Sequence, residues 1–226
     1  DKQVPIEVLV FPTKYPQGGE RQLIEAATGK ELIAGGLPAD AGVIVSNVQT
    51  AKAMGDAVFG KEPSITRCIT VTGLVKKPGN FLVPLGTPLR ELLQKCGGPS
   101  ELDNKVILGG PMTGGCIGHQ IKCKELPQSV TKVSGGLLLL KNDGVEETPC
   151  IRCGSCIKAC PAGLTPWKID FAIRNGDTER CEKLYATECI GCGCCSYVCP
   201  AKRNLCQNTV KARNDVRAMI RERGKK

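Results

Sequence analysis

The chain has 226 residues, 41% hydrophobic and 23% charged, so it can bury a core and wholesale disorder is excluded. Its 31 Lys and Arg against 22 Asp and Glu give a formal charge of +9, which points to nucleic acid or an anionic surface unless bound groups offset it. No apolar run approaches the ~18 residues of a membrane-spanning helix, the longest being stretches such as Val43–Val45 and Leu137–Leu140. The chain begins at Asp1 with no charged-then-apolar leader, and so reads as processed or as a piece of something longer.

In chain order, Val4–Phe11 alternates like a strand, with Val4, Ile6, Val8 and Val10 on one side. A Pro- and Gly-rich loop follows, then a helix over Arg21–Thr28 with Gly29 as its C-terminal cap. Gly42–Ser46 reads as a buried strand and Val48–Phe59 as a helix ending at Gly60, an α/β pattern. A second unit starts near Ile65, with strands over Cys68–Thr72 and Phe81–Pro84 about a Lys77–Asn80 turn. Thr87 is a good helix N-cap with Pro88 at the first helical position, the helix running to Cys96. With Val106–Leu108 as the next strand, this unit suggests a small β-grasp module. Gly109–Val133 reads as irregular, Gly136–Lys141 as a last strand, and Asn142–Gly144 as a turn before a linker, Val145–Pro149. Asn208–Arg223 reads as a helix with a modest apolar stripe at Val210, Val216, Met219 and Ile220 and a mostly solvated basic face.

The cysteines carry the chemistry. Of 15, ten fall between Cys150 and Cys199. A cysteine-poor, core-forming half before a cysteine-dense one fits a metal-cluster module in a reducing compartment better than a secreted disulfide scaffold. Two strings match: Cys150-Ile-Arg-Cys153-Gly-Ser-Cys156-Ile-Lys-Ala-Cys160-Pro161 and Cys189-Ile-Gly-Cys192-Gly-Cys194-Cys195-Ser-Tyr-Val-Cys199-Pro200. Both follow the bacterial ferredoxin run of two-, two- and three-residue gaps ending in proline. The short gaps wrap three corners of a cubane and aim amide N–H groups at its sulfurs. The longer gap puts the fourth cysteine at the start of a helix, facing the other cluster. Cys150, Cys153, Cys156 and Cys199 are therefore expected to hold one 4Fe–4S cluster, and Cys189, Cys192, Cys195 and Cys160 a second. Cluster thiolates would offset part of the +9. Cys181, Cys194 and Cys206 read as small packed side chains. Cys116, His119 and Cys123 have metal-like spacing without an evident fourth ligand, and read as an exposed loop.

Several strings resemble a known family: Lys14-Tyr-Pro-Gln-Gly18-Gly19-Glu20, Asn47-Val-Gln-Thr50, Thr70-Val-Thr-Gly73 with Pro78-Gly-Asn80, Gly86-Thr-Pro88, Ile107-Leu-Gly-Gly-Pro-Met112, and both cysteine strings. Together they are similar to the C subunit of the Rnf ion-translocating electron transport complex. The resemblance implies an α/β and α+β protein. It divides into a partial complex-I-flavoprotein-like α/β domain (1–64), a β-grasp module of the SLBB type (65–148), an α-helical two-cluster ferredoxin domain (149–206) and a basic C-terminal helix (207–226). It implies a peripheral subunit on the cytoplasmic face of the bacterial inner membrane, contacting the membrane through the other Rnf subunits. Electrons would pass from NADH through FMN to two 4Fe–4S clusters. Lys14, Gly18, Gly19 and Glu20 lie where that fold brings flavin and nicotinamide together. The upstream glycine-rich flavin and NADH loop of the family is missing from this sequence, so FMN is expected only with that half.

Two other readings compete. A flavin- and iron–sulfur-dependent cobalamin reductase of a bacterial microcompartment shares this layout, although the Cys195-Ser-Tyr-Val-Cys199-Pro200 wording favours the Rnf type. A zinc-stabilised module using its basic helix on nucleic acid would need more than 4% aromatic residues for base stacking and a different cysteine spacing, so no nucleic-acid partner is expected.

Overall fold

The computed structural model describes residues 4–32, 35–60, 63–119, 126–142, 144 and 146–224. Cys123, Asp143 and Val145, which figure in the expectations above, lie outside these residues. The chain forms two compact units, one of residues 46–147 and one joining residues 1–45 to 148–226.

The 46–147 unit is built on five strands: β1 (Thr66–Gly73), β2 (Gly79–Pro84), β3 (Asn104–Leu108), β4 (Gly115–His119) and β5 (Gly136–Lys141). Their order is β2-β1-β5-β3-β4, with β1 and β5 parallel at the centre and the other neighbours antiparallel. This is the β-grasp arrangement. Helix α3 (Leu89–Lys95) buries Leu89, Leu92 and Leu93 against Ile69, Val71, Leu137 and Leu139 of the sheet. Each buried leucine contributes roughly 1.5–3 kcal/mol of apolar burial. The helix is capped by Pro88, whose ring fixes φ near −62°, and not by Thr87, whose hydroxyl donates to the Pro84 carbonyl at 2.7 Å. Glycine is required at the end of β1: Gly73 has φ +87°, and a Cβ there would lie 2.0 Å from the Leu139 carbonyl oxygen.

Helix α2 (Val48–Val58) starts at Asn47, whose side chain accepts from the Gln49 amide. Gln49 then reaches the sheet. Its amide group donates to the Cys68 carbonyl at 3.2 Å and accepts from the Cys68 N–H at 3.1 Å. β5 pairs with β1 only from Thr70 onward, so the Gln49 side chain occupies hydrogen-bonding groups on β1 ahead of that pairing.

In the other unit, helix α1 (Glu20–Thr28) ends at Gly29 in the left-handed conformation. Helices α4 (Ser155–Lys158), α5 (Pro166–Arg174), α6 (Thr178–Lys183), α7 (Cys194–Tyr197) and α8 (Leu205–Arg223) make up the cysteine-rich part. Its core joins Ile169 and Ile173 of α5, Cys181 of α6, and Ala212 and Val216 of α8.

Five further expectations need correction. Val4–Phe11 forms no strand, and Val4, Ile6, Val8 and Val10 are exposed, up to 89% at Val10. Gly42–Ser46 likewise forms no strand, and Ile44 is exposed. Alternation supplies a face but not a partner strand. The stretch Gly109–Val133 is not uniformly irregular, since Gly115–His119 forms the edge strand β4 through pairing with β3. The fourth cysteine of each string does not open a helix: the third, Cys156 or Cys195, sits in the one-turn helix α4 or α7, and the fourth follows it. Finally, α8 starts at Leu205 and much of its basic face is engaged. Arg213 donates to the Cys189 carbonyl at 2.7 Å, Arg217 to the Thr187 carbonyl at 3.2 Å, and Arg223 pairs with Glu182 at 2.8 Å.

Candidate metal centres

The two strings start 39 residues apart, at Cys150 and Cys189, and share a backbone path. Left-handed residues recur at matching places: Arg152 and Gly191, Gly154 and Gly193, Gly163 and Lys202. Such turns aim the intervening amides inward. The Gly191 N–H points at Cys189 Sγ and the Leu164 N–H at Cys160 Sγ, each at 3.4 Å. Ser155 Oγ lies 3.4 Å from Cys153 Sγ.

Two small cavities lie within this module. The first is lined by Cys150, Cys153, Cys156 and Cys199, with Trp167 and Leu205 among its walls. The second is lined by Cys160, Cys189, Cys192 and Cys195, with Cys206 and Thr209 beside them. Each cavity thus takes three thiols from one string and one from the other. Among the described residues no three His, Cys, Asp or Glu side chains converge on a position for a single ion. A mononuclear zinc site would draw its four ligands within about 2.3 Å of one metal ion, a convergence that these thiols do not make. Four thiols around a walled cavity, with N–H groups aimed at sulfur, fit an iron–sulfur cluster in each place. Burial pushes the thiols of Cys156 and Cys189 up, so their ionised forms are disfavoured until a cationic group binds.

Behind the first cavity lies a buried carboxylate. Asp170, 2% exposed, accepts from Arg174 Nε at 2.8 Å, Asn208 Nδ2 at 2.6 Å, and Arg203 Nη2 at 2.6 Å. Burial alone would push its carboxyl up, but hydrogen bonds from Arg174, Asn208 and Arg203 outweigh that and hold it below the usual carboxylate range.

A larger cleft of ≈ 580 Å³ lies in the same unit. Lys14, Tyr15, Gln17, Gln22, Lys158 and Cys160 are among its walls. The Tyr15 hydroxyl donates to the Cys192 carbonyl at 2.6 Å, and Arg21 pairs with Glu188 at 2.7 Å, so the segment around α1 is fixed to the second cysteine string. Gly18 and Gly19 follow Gln17 in the turn that leads into α1, with Gly19 as its N-cap and Glu20 as its first residue. Gln22 Oε1 is buried without a hydrogen-bond partner among the described residues. The cleft therefore ends on Cys160, a cysteine of the second cavity.

The surplus cysteines separate. Cys181 is a packed core side chain. Cys194 is half-buried at the start of α7, its thiol pushed up to about 11 first by burial and then by Cys192 beside it. Cys206 is different: it faces the second cavity beside Cys195. Aligning the strings and extending the alignment past their prolines is the signal that would have singled it out, since it places Cys206 opposite Trp167. Cys116 and His119 lie on the exposed strand β4, with Sγ and Nε2 3.7 Å apart.

Comparison with known proteins agrees with this layout. Residues 1–56 match the Nuo51 FMN-binding domain family, 68–114 the SLBB domain family, and 149–203 the 4Fe-4S dicluster domain family. The chain is 42% identical over 182 residues to the C subunit of the ion-translocating oxidoreductase complex of Rhodobacter capsulatus, covering 79% of this chain and 34% of the relative. It is 45% identical over 165 residues to the C subunit of the proton-translocating ferredoxin:NAD(+) oxidoreductase complex of Clostridium ljungdahlii (71% and 35%). It is 41% identical over 226 residues to the C subunit of the Na(+)-translocating ferredoxin:NAD(+) oxidoreductase complex of Acetobacterium woodii (96% and 48%). The chain thus spans a third to a half of the length of these relatives. With a β-grasp sheet, a flavin-domain segment and a cysteine-rich module in one chain, and this degree of identity to all three relatives, the chain belongs to the C-subunit family of the Rnf-type ion-translocating oxidoreductase complexes.

Proposed function

We propose that this chain is the electron-relay part of an Rnf-type C subunit. It would carry electrons from NADH, by way of flavin, through two 4Fe–4S clusters to other subunits of a complex that couples ferredoxin and nicotinamide redox chemistry to ion movement. The observation that carries this reading is the pair of four-thiol cavities with crossed string membership. Bound clusters supply one-electron chemistry and no acid–base group.

The chain's own residues would do the rest. Cys150, Cys153, Cys156 and Cys199 would hold one cluster, and Cys160, Cys189, Cys192 and Cys195 the other. Amides such as those of Gly191 and Leu164 would stabilise sulfur charge, while Trp167 and Leu205 would keep water from the first site. The cleft ending on Cys160 supports a flavin side next to the second site, with Lys14 and the Gly18–Glu20 turn contributing to a flavin held together with the rest of the subunit. Among the described residues no helix is long and apolar enough to cross a membrane, and attachment to the cytoplasmic face of the inner membrane through partner subunits is part of the same proposal. The relatives' names favour this reading over a corrinoid-reducing flavoprotein.

Iron and acid-labile sulfide counts with anaerobic EPR of the dithionite-reduced chain test it. About eight irons and eight sulfides per chain, with the spectrum of two interacting reduced clusters, are expected. Bound zinc with no EPR signal would remove the relay.

A further inference from the structure

We infer that Cys206 and Arg213, on one stripe of α8, tune the second cysteine site, raising the reduction potential of the cluster held there by donating hydrogen bonds toward its sulfurs. This rests on the two-cluster reading above.

Positions 206, 209 and 213 fall on one helical face. Cys206 and Thr209 line the second cavity. The Cys206 amide is fixed by Ser196 Oγ at 2.8 Å, and its thiol meets that of Cys195. One turn beyond Thr209, Arg213 Nη1 donates to the carbonyl of Cys189, a cysteine of the same cavity. Arg213 Nε–H is buried and has no hydrogen-bond partner among the described residues. A buried N–H with no acceptor is costly, so its presence beside a thiol-lined cavity calls for an acceptor that occupies the cavity.

The repeat supplies an internal comparison. Shifted back by the 39 residues that separate Cys189 from Cys150, the stripe falls on Trp167, Asp170 and Arg174 of α5. There Arg174 Nε donates to the buried Asp170 carboxylate at 2.8 Å, one turn back along its own helix. On α8 the place of Asp170 is taken by Thr209, whose hydroxyl donates to the Leu205 carbonyl at 2.7 Å. Arg213 therefore keeps its position but loses the carboxylate that neutralises its counterpart. Reduction adds one electron, and so one negative charge, to a cluster without making or breaking a bond in the chain. A nearby guanidinium and N–H or S–H donors favour the more negative state, which raises the potential.

Potentiometric EPR on the iron- and sulfide-loaded chain tests this. Arg213→Gln and Cys206→Ala should each lower the potential of one cluster, the same one in both, leaving the other unmoved and the iron count at about eight. Arg213→Lys, which keeps the charge but not the Nε–H, should recover part of the shift. Thr209→Asp should lower the same potential by giving Arg213 the partner that Asp170 gives Arg174. Unmoved potentials in Arg213→Gln and Cys206→Ala at full iron content overturn the inference. So does a fall to about four irons in Cys206→Ala, which would make Cys206 a ligand. Fewer than two clusters in the unaltered chain would sink the relay reading itself, and this inference with it.

Discussion

The two cysteine sites share a backbone but divide its strain unequally. The first is flanked by Arg152 at φ +55° and, just after Cys199, by Lys202 at φ +52°. The matching left-handed positions at the second site are Gly191 and, just after Cys160, Gly163. Because the strings cross, both strained side chains fall at one site and both relaxed glycines at the other. The cysteine spacing dictates the turn, and the turn is made whether or not the residue suits it. An L-residue in that region costs about 1–2 kcal/mol, so the first site carries a penalty that the second does not.

The largest effect should come from breaking the crossing. If the ligands divide as proposed, Cys199→Ala removes the cluster of Cys150, Cys153 and Cys156, and iron drops from about eight to about four. Cys150→Ala added to it should cost no further iron, whereas Cys160→Ala added to it should leave none. Iron analysis of these three proteins reads the pairing directly, and equal losses in the two double variants would rule it out.

Next comes the buried carboxylate that the first half has and the second lacks. Asp170→Asn leaves Arg203 and Arg174 without their counter-charge, and should destabilise the chain by about 3–5 kcal/mol in urea unfolding. Since the folded Asp170 pKa lies below its unfolded value of about 4, its stabilisation is present above that value and is lost as pH falls through the depressed folded one. The gap between the parent and Asp170→Asn should therefore be constant near neutral pH and narrow below about pH 4. A gap independent of pH would show that the Asp170 charge contributes nothing.

The smallest effects sharpen the comparison of turns. Lys202→Gly should stabilise by about 1 kcal/mol, and Gly191→Ala should destabilise by a similar amount. Arg152→Gly should gain less, because it forfeits the stacking of Arg152 over Trp167 at 5.8 Å, worth about 0.5–1 kcal/mol. Equal and negligible changes at all three positions would mean that the turns are not strained.

What the sequence made legible follows the range of the interaction. The cysteine strings and the Gly29 cap are set by neighbours a few residues away, and the Gly136–Lys141 strand, although paired with β1 and β3 far upstream, announces itself by its unbroken apolar run. β4 was missed because its partner β3 lies across a glycine-rich turn, and its five residues include two glycines. Val4–Phe11 and Gly42–Ser46 misled for the converse reason, since their alternation was real but no strand lies beside them in the described residues. The basic face of α8 looked solvated because charge alone does not reveal that Arg213 and Arg217 end on backbone carbonyls 24 and 30 residues upstream. As lone cysteines Cys206 and Cys181 look alike; the alignment of the two strings extends to Cys206 alone, and in the structure Cys206 lines the cavity while Cys181 packs in the core.

The crossed strings also bear on how such a module is made. The first string leaves the ribosome holding only three of the thiols that ring its cavity, and the fourth, Cys199, is synthesised 43 residues after Cys156. Neither cavity can be completed until nearly the whole module has emerged. Iron loading would then be a late and joint event in biogenesis, and a chain stalled between the strings would offer assembly factors open cysteines but no finished place to deliver a cluster.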